Sequence, residues 1–214
     1  MKSLWDRLLD LLYPPRCAFC CRLLNERETG VCRFCRKKYE HDGRRRELKH
    51  TETCVAAFRY EGEVRESILR YKFRGVTAYG EAYAGFLAKQ LDESQISCDI
   101  ITWVPLSRRR LRHRGYDQAR ILAEETAKIL GLPCAKLLEK RVHTKAQSGI
   151  RNAQQRRKNA KGVYVCCAPE LAAGKRVLLI DDIVTTGATL TECAAVLKKA
   201  GCGAVIAAAA ASRD

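Results

Sequence analysis

Residues 177–190, "VLLIDDIVTTGATL", constrain the fold of this chain more than any other segment. An apolar run leads into the adjacent Asp181 and Asp182, and a Thr-Thr-Gly-Ala-Thr turn then opens a helical pattern. A second apolar run, "GAVIAAAAA", follows that pattern. A strand, a helix and a further strand at this spacing predict a crossover within a mostly parallel sheet.

The remainder of the chain extends this α/β pattern. Apolar segments predict further strands at "CVAAFRYEG", "DIITWVPL" and "GVYVCC". Helical patterns occupy "EVRESILRYKF", "EAYAGFLAKQLDE" and "QARILAEETAKILGL". The alanine run after Val205-Ile206 is predicted to be a buried strand. The charged residues 36–53 are interpreted as a linker or exposed arm, "SRRRLRHRG" as a basic turn, and residues 3–12 as an amphipathic helix.

The two aspartates and the turn after them predict a ligand site. Ligands of parallel sheets bind at the carboxyl ends of strands, where Asp181 and Asp182 are expected. The turn offers hydroxyls, close backbone approach at a glycine and a helix N-terminus, all of which suit phosphate. Carboxylates beside a phosphate site fit ribose 5-phosphate, because they accept hydrogen bonds from the 2′ and 3′ hydroxyls. The phosphate would lie against Thr185, Thr186, Gly187, Ala188 and Thr189.

Other uses of adjacent acids explain this segment less well. A Walker B segment also places aspartate after an apolar strand, but the sequence has no G-x-x-x-x-G-K-[ST] motif to accompany it. A helix cap needs only one acid and leaves the threonine-rich turn unexplained.

Two C-x-x-C pairs near the N-terminus predict a metal site. Cys17 and Cys20 are separated from Cys32 and Cys35 by eleven residues. Two such pairs complete a tetrahedral zinc site with no open position, so the zinc is expected to be structural. Cys21 is an alternative ligand to Cys20, and redox-active or merely buried thiols are alternative interpretations.

The charge of the chain predicts anionic partners. Forty Lys and Arg stand against 24 Asp and Glu, a formal net charge of +16. Residues 108–114 contain five arginines, more than a single bound diphosphate ligand could engage. The surplus favours contacts with the phosphates of single-stranded nucleic acid. This predicted nucleic-acid set is Arg108, Arg109, Arg110, Arg112 and Arg114.

The N-terminal segment is informative about the cellular location of the protein. Asp6, Arg7 and Asp10 interrupt its apolar run, a pattern that is untypical of a signal peptide. No uncharged run reaches membrane-spanning length. We therefore expect a cytoplasmic protein with reduced cysteines and no membrane span.

Several motifs together carry a family resemblance. Residues 177–190 resemble the phosphoribosyl pyrophosphate (PRPP) motif of type I phosphoribosyltransferases. A four-cysteine ribbon, "YKFRG", "VPLSRRRLRHRGYDQA" and "HTKAQSGIRNAQQRRKNAKGVY" precede it in that order. The ordered set resembles the ComF family, competence-associated bacterial proteins implicated in uptake of transforming DNA. The resemblance implies an N-terminal helix, zinc ribbon and basic linker in residues 1–50, and a phosphoribosyltransferase-like domain in residues 51–214.

The resemblance also implies roles for residues. Asp181 and Asp182 would hold the ribose, residues 185–189 the 5-phosphate, and residues 141–159 would close over the site. The ligand would be PRPP, with Mg²⁺, or ribose 5-phosphate. Only Cys54 follows Cys35 in a region where relatives have further C-x-x-C pairs, so a second zinc site is not expected. The pyrophosphate-side loop would be Pro105, Leu106, Ser107 and Arg108.

Two functions stay open at this stage. The first is a DNA-handling protein that acts with a DNA-uptake helicase or another competence protein. The second is an active phosphoribosyltransferase of nucleotide metabolism. Only 24 residues, 191–214, follow the PRPP motif, and they are needed for one helix and one strand. The zinc ribbon is then the sole candidate for a base-recognising hood, and the resemblance identifies neither an acceptor nor a catalytic residue.

Overall fold

A five-stranded sheet organises the computed structural model, which describes residues 14–141 and 162–213. The sheet order is β1-β2-β7-β6-β3, and β4 and β5 form a separate antiparallel pair. The strands are β1 Arg44–Arg46, β2 Cys54–Arg59, β3 Ile100–Trp103, β4 Leu138–Lys140, β5 Tyr164–Cys166, β6 Arg176–Val184 and β7 Ala204–Ser212. The helices are α1 Arg33–Tyr39, α2 Gly62–Phe73, α3 Tyr79–Glu93, α4 Arg108–Arg114, α5 Gln118–Leu130, α6 Pro169–Ala172 and α7 Ala188–Lys199.

The mostly parallel sheet is confirmed. β2, β7, β6 and β3 run parallel, and only β1 is antiparallel at its edge. The alanine-rich β7 lies at the centre of the sheet, where Ala207 pairs with Cys54 on one side and Leu179 on the other. All nine residues of β7 are buried, which confirms the predicted buried strand.

Apolar clusters cover both faces of the sheet. One contains residues from α2, α3, α5 and the cysteine-rich segment, and the other contains residues from α7, β4 and β5. Phe19, between two of the predicted zinc ligands, has its ring centroid 4.6 Å from Tyr39 and 5.2 Å from Phe58. The cysteine-rich segment therefore shares a core with the sheet.

Three local predictions are wrong. Residues 36–53 are no linker, because they contain most of α1 and all of β1, which pairs with β2. The arginine-rich segment is the helix α4, because Ser107 Oγ accepts a hydrogen bond from Arg110 N at 3.3 Å and arginine favours helix. β6 continues through Asp181 and Asp182 to Val184, because β7 supplies ladder partners that far.

Two predicted segments lie outside the described residues. They are the helix at 3–12 and all but Arg141 of the closing loop at 141–159. Within the part of the chain that the structure describes, no helix has both the length and the apolar character needed to cross a bilayer.

Candidate functional site

A cavity of about 630 Å³ opens at the carboxyl ends of all four parallel strands. Tyr60 follows β2, Val104 follows β3, Val184 ends β6, and Arg213 follows β7, and each of them lines the cavity. The cavity thus lies where a parallel sheet is expected to bind its ligand.

Both predicted carboxylates line this cavity. The Nζ atom of Lys72, from α2, lies 2.9 Å from Asp182 Oδ1, and both side chains are largely buried. Burial raises the pKa of Asp181 well above its ordinary value, the Asp182 carboxylate raises it further, and Lys72 partly offsets both effects. Two hydrogen-bond acceptors and one cation therefore line the same cavity.

The predicted phosphate loop, residues 185–189, also lines the cavity in full. It leads into the N-terminus of α7, whose dipole favours an anion. Gly187 has a φ of +72°, and a Cβ at this position would meet the side chain of Leu48. This left-handed backbone favours glycine, because other residues would be strained there.

An arginine from the predicted linker supports the loop. Arg46 Nη1, in β1, donates a 2.8 Å hydrogen bond to the carbonyl oxygen of Thr185. Sequence reasoning missed this residue, because β1 reaches the loop only through its pairing with β2.

The predicted pyrophosphate-side loop divides into two parts. Pro105 and Leu106 line the cavity, whereas Ser107 caps α4 and Arg108 pairs with Glu139 at 3.2 Å. The backbone N–H of Leu106 donates to Asp117 Oδ2 at 3.1 Å, so this buried carboxylate fixes the loop. Burial raises the pKa of Asp117, although hydrogen bonds from the amides of Leu106 and Arg120 oppose that effect.

The four predicted zinc ligands form one cluster. The Sγ atoms of Cys17, Cys20, Cys32 and Cys35 all lie within 4.8 Å of one another, and Cys20 Sγ is 3.8 Å from Cys32 Sγ. Tetrahedral zinc with bonds of about 2.3 Å needs sulfur atoms about 3.8 Å apart, so this cluster fits zinc. Cys21 lies outside the cluster, and the alternative assignment of Cys21 as a ligand is therefore wrong.

Comparison with known proteins matches both parts of the chain. A phosphoribosyl transferase domain model matches residues 117–214, and a double zinc ribbon domain model matches residues 8–46. Competence protein F of Haemophilus influenzae is 29% identical over 212 residues, covering 87% of this chain and 92% of the relative. The chain belongs to the ComF family.

Two further relatives match shorter stretches. Competence protein ComFC of Streptococcus pneumoniae is 31% identical over 146 residues, which cover 68% of this chain and 62% of the relative. DNA utilization protein YhgH of Escherichia coli is 31% identical over 107 residues, which cover 50% of this chain and 46% of the relative. The "double" ribbon needs a qualification, since residues 8–46 hold five cysteines, enough for one four-thiolate site only.

The five predicted nucleic-acid arginines of this ComF protein fall into two groups. Arg110 and Arg114 line the cavity, whereas Arg108, Arg109 and Arg112 are exposed on α4 outside it. The helical conformation of the segment causes this division, because it directs neighbouring side chains to different faces.

The cavity is also lined by cationic side chains that the sequence motifs did not predict. Lys140 Nζ, in β4, donates to Tyr164 Oη in β5 at 3.2 Å. Burial lowers the pKa of Lys140, and Arg110 lowers it further. Among the residues that the structure describes, six Lys or Arg residues and three Asp residues line the cavity, which favours an anionic ligand. The cations are Arg65, Lys72, Arg110, Arg114, Lys140 and Arg213.

Proposed function

We propose that this ComF protein binds PRPP or ribose 5-phosphate in the cavity and single-stranded DNA on its exposed basic surface, and that it acts in DNA uptake. One observation carries the first part of the proposal. The adjacent carboxylates Asp181 and Asp182 and the phosphate loop 185–189 line the same cavity.

The chemistry of these groups suits a phosphorylated sugar. Carboxylates accept hydrogen bonds from vicinal hydroxyls, and a glycine-containing loop at a helix N-terminus receives a phosphate. Arg110 and Lys140 add positive charge for a diphosphate on C1. Mg²⁺ would accompany PRPP, because this cation binds through substrate phosphates and one or two carboxylates.

The second part of the proposal combines the surface of the protein with its relatives. Arg108, Arg109 and Arg112 form an exposed cationic face on α4, which suits the sugar-phosphate backbone of a single strand. Relatives are named competence proteins and a DNA utilization protein. A partner from the DNA-uptake machinery, such as a helicase, and a cytoplasmic location belong to the same proposal.

A phosphoribosyltransferase of nucleotide metabolism is the second candidate. Arg110 and Lys140 favour it, because cations held in a partly buried site would stabilise a departing diphosphate. Release of pyrophosphate from PRPP in the presence of a nucleobase would establish turnover. Tight PRPP binding without release would favour the DNA-handling function.

Calorimetry with ribose 5-phosphate tests the cavity assignment. The double variant Asp181→Asn/Asp182→Asn removes two charge-assisted contacts worth about 1.5–3 kcal/mol each, so we expect affinity to fall by about a hundredfold or more. The control Asp92→Asn/Glu93→Gln changes the same charge on exposed neighbours in α3 and should bind like wild type. Equal affinities in all three proteins would overturn the assignment.

A further inference from the structure

Helix α2 contacts two different parts of the protein through two faces. One face lines the cavity, with Arg65, Leu69, Lys72 and Phe73. The other face makes hydrogen bonds to the cysteine-rich ribbon and to α1, with Glu63, Ser67 and Arg70. At 3.6 residues per turn, these two sets point in roughly opposite directions around the helix axis. α2 therefore touches both the predicted zinc site and the ligand cavity.

The first C-x-x-C turn of the ribbon is bonded directly to α2. Arg70 Nη2 donates hydrogen bonds to the carbonyl oxygens of Ala18 and Phe19, at 2.8 and 3.0 Å. The hydroxyl of Ser67 donates to the same carbonyl oxygen of Ala18. Both carbonyls belong to the turn between the first two cysteines of the cluster. Their positions therefore depend on whether a metal draws those two thiolates together.

The second pair of cysteines is joined to the same face of α2 through α1. Cys32 caps α1, and Cys35 lies in its first turn. At the other end of α1, Tyr39 Oη and Lys38 Nζ donate to Glu63 Oε2 at 2.6 and 2.8 Å. Both halves of the cluster are thus connected to one face of one helix.

The opposite face of α2 carries a cation of the ligand cavity. Lys72 follows Arg70 by two residues, and its Nζ atom lies 2.9 Å from Asp182 Oδ1. Packed helices shift as units by an ångström or two when the contacts that hold them change. A change in the C-x-x-C turn that displaces Arg70 would therefore also displace Lys72 from Asp182.

We propose that Arg70 is a positioning residue that couples zinc in the ribbon to ligand binding in the cavity. With zinc bound, the ordered turn holds Arg70 and keeps Lys72 beside Asp182. Without zinc, α2 loses this anchor and the cavity binds its ligand less tightly. The inference rests on the proposed function, because ribose 5-phosphate is the ligand whose affinity is coupled. Coupling is reciprocal, so the ligand also tightens zinc binding by the same factor.

Competition for zinc with a chelator, with and without saturating ribose 5-phosphate, measures this coupling in the full chain. In wild type, we expect the ligand to raise the zinc affinity at least about fivefold. Arg70→Met keeps a long side chain but removes the hydrogen bonds to Ala18 and Phe19, so this ratio of affinities should fall to about one. The variant should still bind one zinc per chain, because Arg70 is no member of the thiol cluster.

Arg74→Met is the matched control. Arg74 is exposed, follows Arg70 by four residues and does not line the cavity, so its variant should keep the wild-type ratio. Ser67→Ala removes the other hydrogen bond to Ala18 and should also lower the ratio, which keeps the test available if Arg70→Met does not fold.

Three results would overturn the coupling and leave the proposed function standing. The first is a ratio of one in wild-type protein that binds ribose 5-phosphate in calorimetry. The second is a wild-type ratio in the Arg70 variant, or in Ser67→Ala where that variant does not fold, because zinc and ligand would then be linked through global folding alone. The third is an equal loss of the ratio in Arg74→Met. Failure of wild type to bind ribose 5-phosphate at all would instead count against the proposed function.

Discussion

The guanidinium of Arg46 donates a 2.8 Å hydrogen bond to the carbonyl oxygen of Thr185, which lies 139 residues further along the chain. Two residues after Arg46, the side chain of Leu48 covers Gly187 of the same loop. The segment that leads out of the cysteine-rich ribbon therefore supports the backbone of the predicted phosphate loop, residues 185–189. Residues on both sides of the predicted domain boundary contribute to one site.

We predict that Arg46→Ala weakens binding of ribose 5-phosphate by roughly tenfold. A hydrogen bond to a charged group is worth about 1.5 kcal/mol or more, and its loss frees the loop backbone around Thr185. Arg45→Ala is the matched control, because Arg45 Nε donates to Thr53 Oγ1 at 2.9 Å instead. If calorimetry gave Arg46→Ala the same affinity as wild type, the hydrogen bond from Arg46 would have no role in ligand binding.

The zinc content of variants should distinguish the roles of the neighbouring residues Cys20 and Cys21. We predict one zinc per chain, retained in Cys21→Ser and lost in Cys20→Ser. The reason is that Cys20, unlike Cys21, has its Sγ atom in the four-thiol cluster. Elemental analysis of anaerobically purified protein measures this. Zinc lost from Cys21→Ser and retained by Cys20→Ser would contradict the ligand set.

Loss of zinc should also lower the thermal stability of the sheet. Structural zinc contributes on the order of 10 kcal/mol to the folding of a small ribbon. Phe19 packs against Phe58 of β2, so the ribbon and the sheet share apolar contacts. We therefore expect Cys20→Ser to lower the midpoint of the whole thermal unfolding transition. A separate early transition, with the main midpoint unchanged, would show that the ribbon melts independently.

Asp181 should destabilise the fold at neutral pH. Burial raises its pKa, so the folded protein holds a proton there more tightly than the unfolded chain does. The proton on Asp181 stabilises the folded protein fully at pH values below the ordinary pKa of aspartate. This stabilisation is lost as the pH rises through the raised pKa. We predict that Asp181→Asn increases the free energy of unfolding at pH 8 by about 1 kcal/mol. The gain should shrink as the solution is acidified.

Asp182→Asn should have the opposite effect on stability. It leaves Lys72, 17% exposed, without the carboxylate 2.9 Å away, and we expect a loss of about 2 kcal/mol at pH 8. Urea unfolding of both variants across pH 5–8 measures the two signs. Equal changes in the two variants would contradict the distinct environments assigned to the two acids.

The two groups of arginines on α4 should differ in function. Replacing Arg108, Arg109 and Arg112 with glutamine should flatten the slope of log K against log salt for single-stranded DNA by about 2, since each phosphate contact contributes about 0.7. Affinity for PRPP should stay unchanged. Arg110→Gln, inside the cavity, should weaken PRPP binding and leave the salt slope for single-stranded DNA unchanged. Absence of salt-dependent DNA binding by wild type would refute the DNA interface.

The sequence was informative where one segment carries a whole feature. β6, α7 and β7 follow from long apolar or amphipathic runs, and the ribbon cysteines follow from their local spacing. Lys72, Lys140 and Tyr164 were not predicted as site residues, because they come from α2, β4 and β5 and meet only after folding. β1 was missed because it is a short edge strand of three arginines with no apolar alternation.

The central position of β7 has a consequence for synthesis on the ribosome. Cys54 of β2 pairs with Ala207 of β7, and at about 5–20 residues per second these two positions emerge roughly 8–30 s apart. The ribbon cysteines emerge earlier still and can capture metal while Phe19 has no sheet to pack against. A metal-loaded ribbon with an uncovered aromatic face is therefore the expected nascent species. The cavity at the carboxyl ends of the strands forms only when β7 is inserted between β2 and β6.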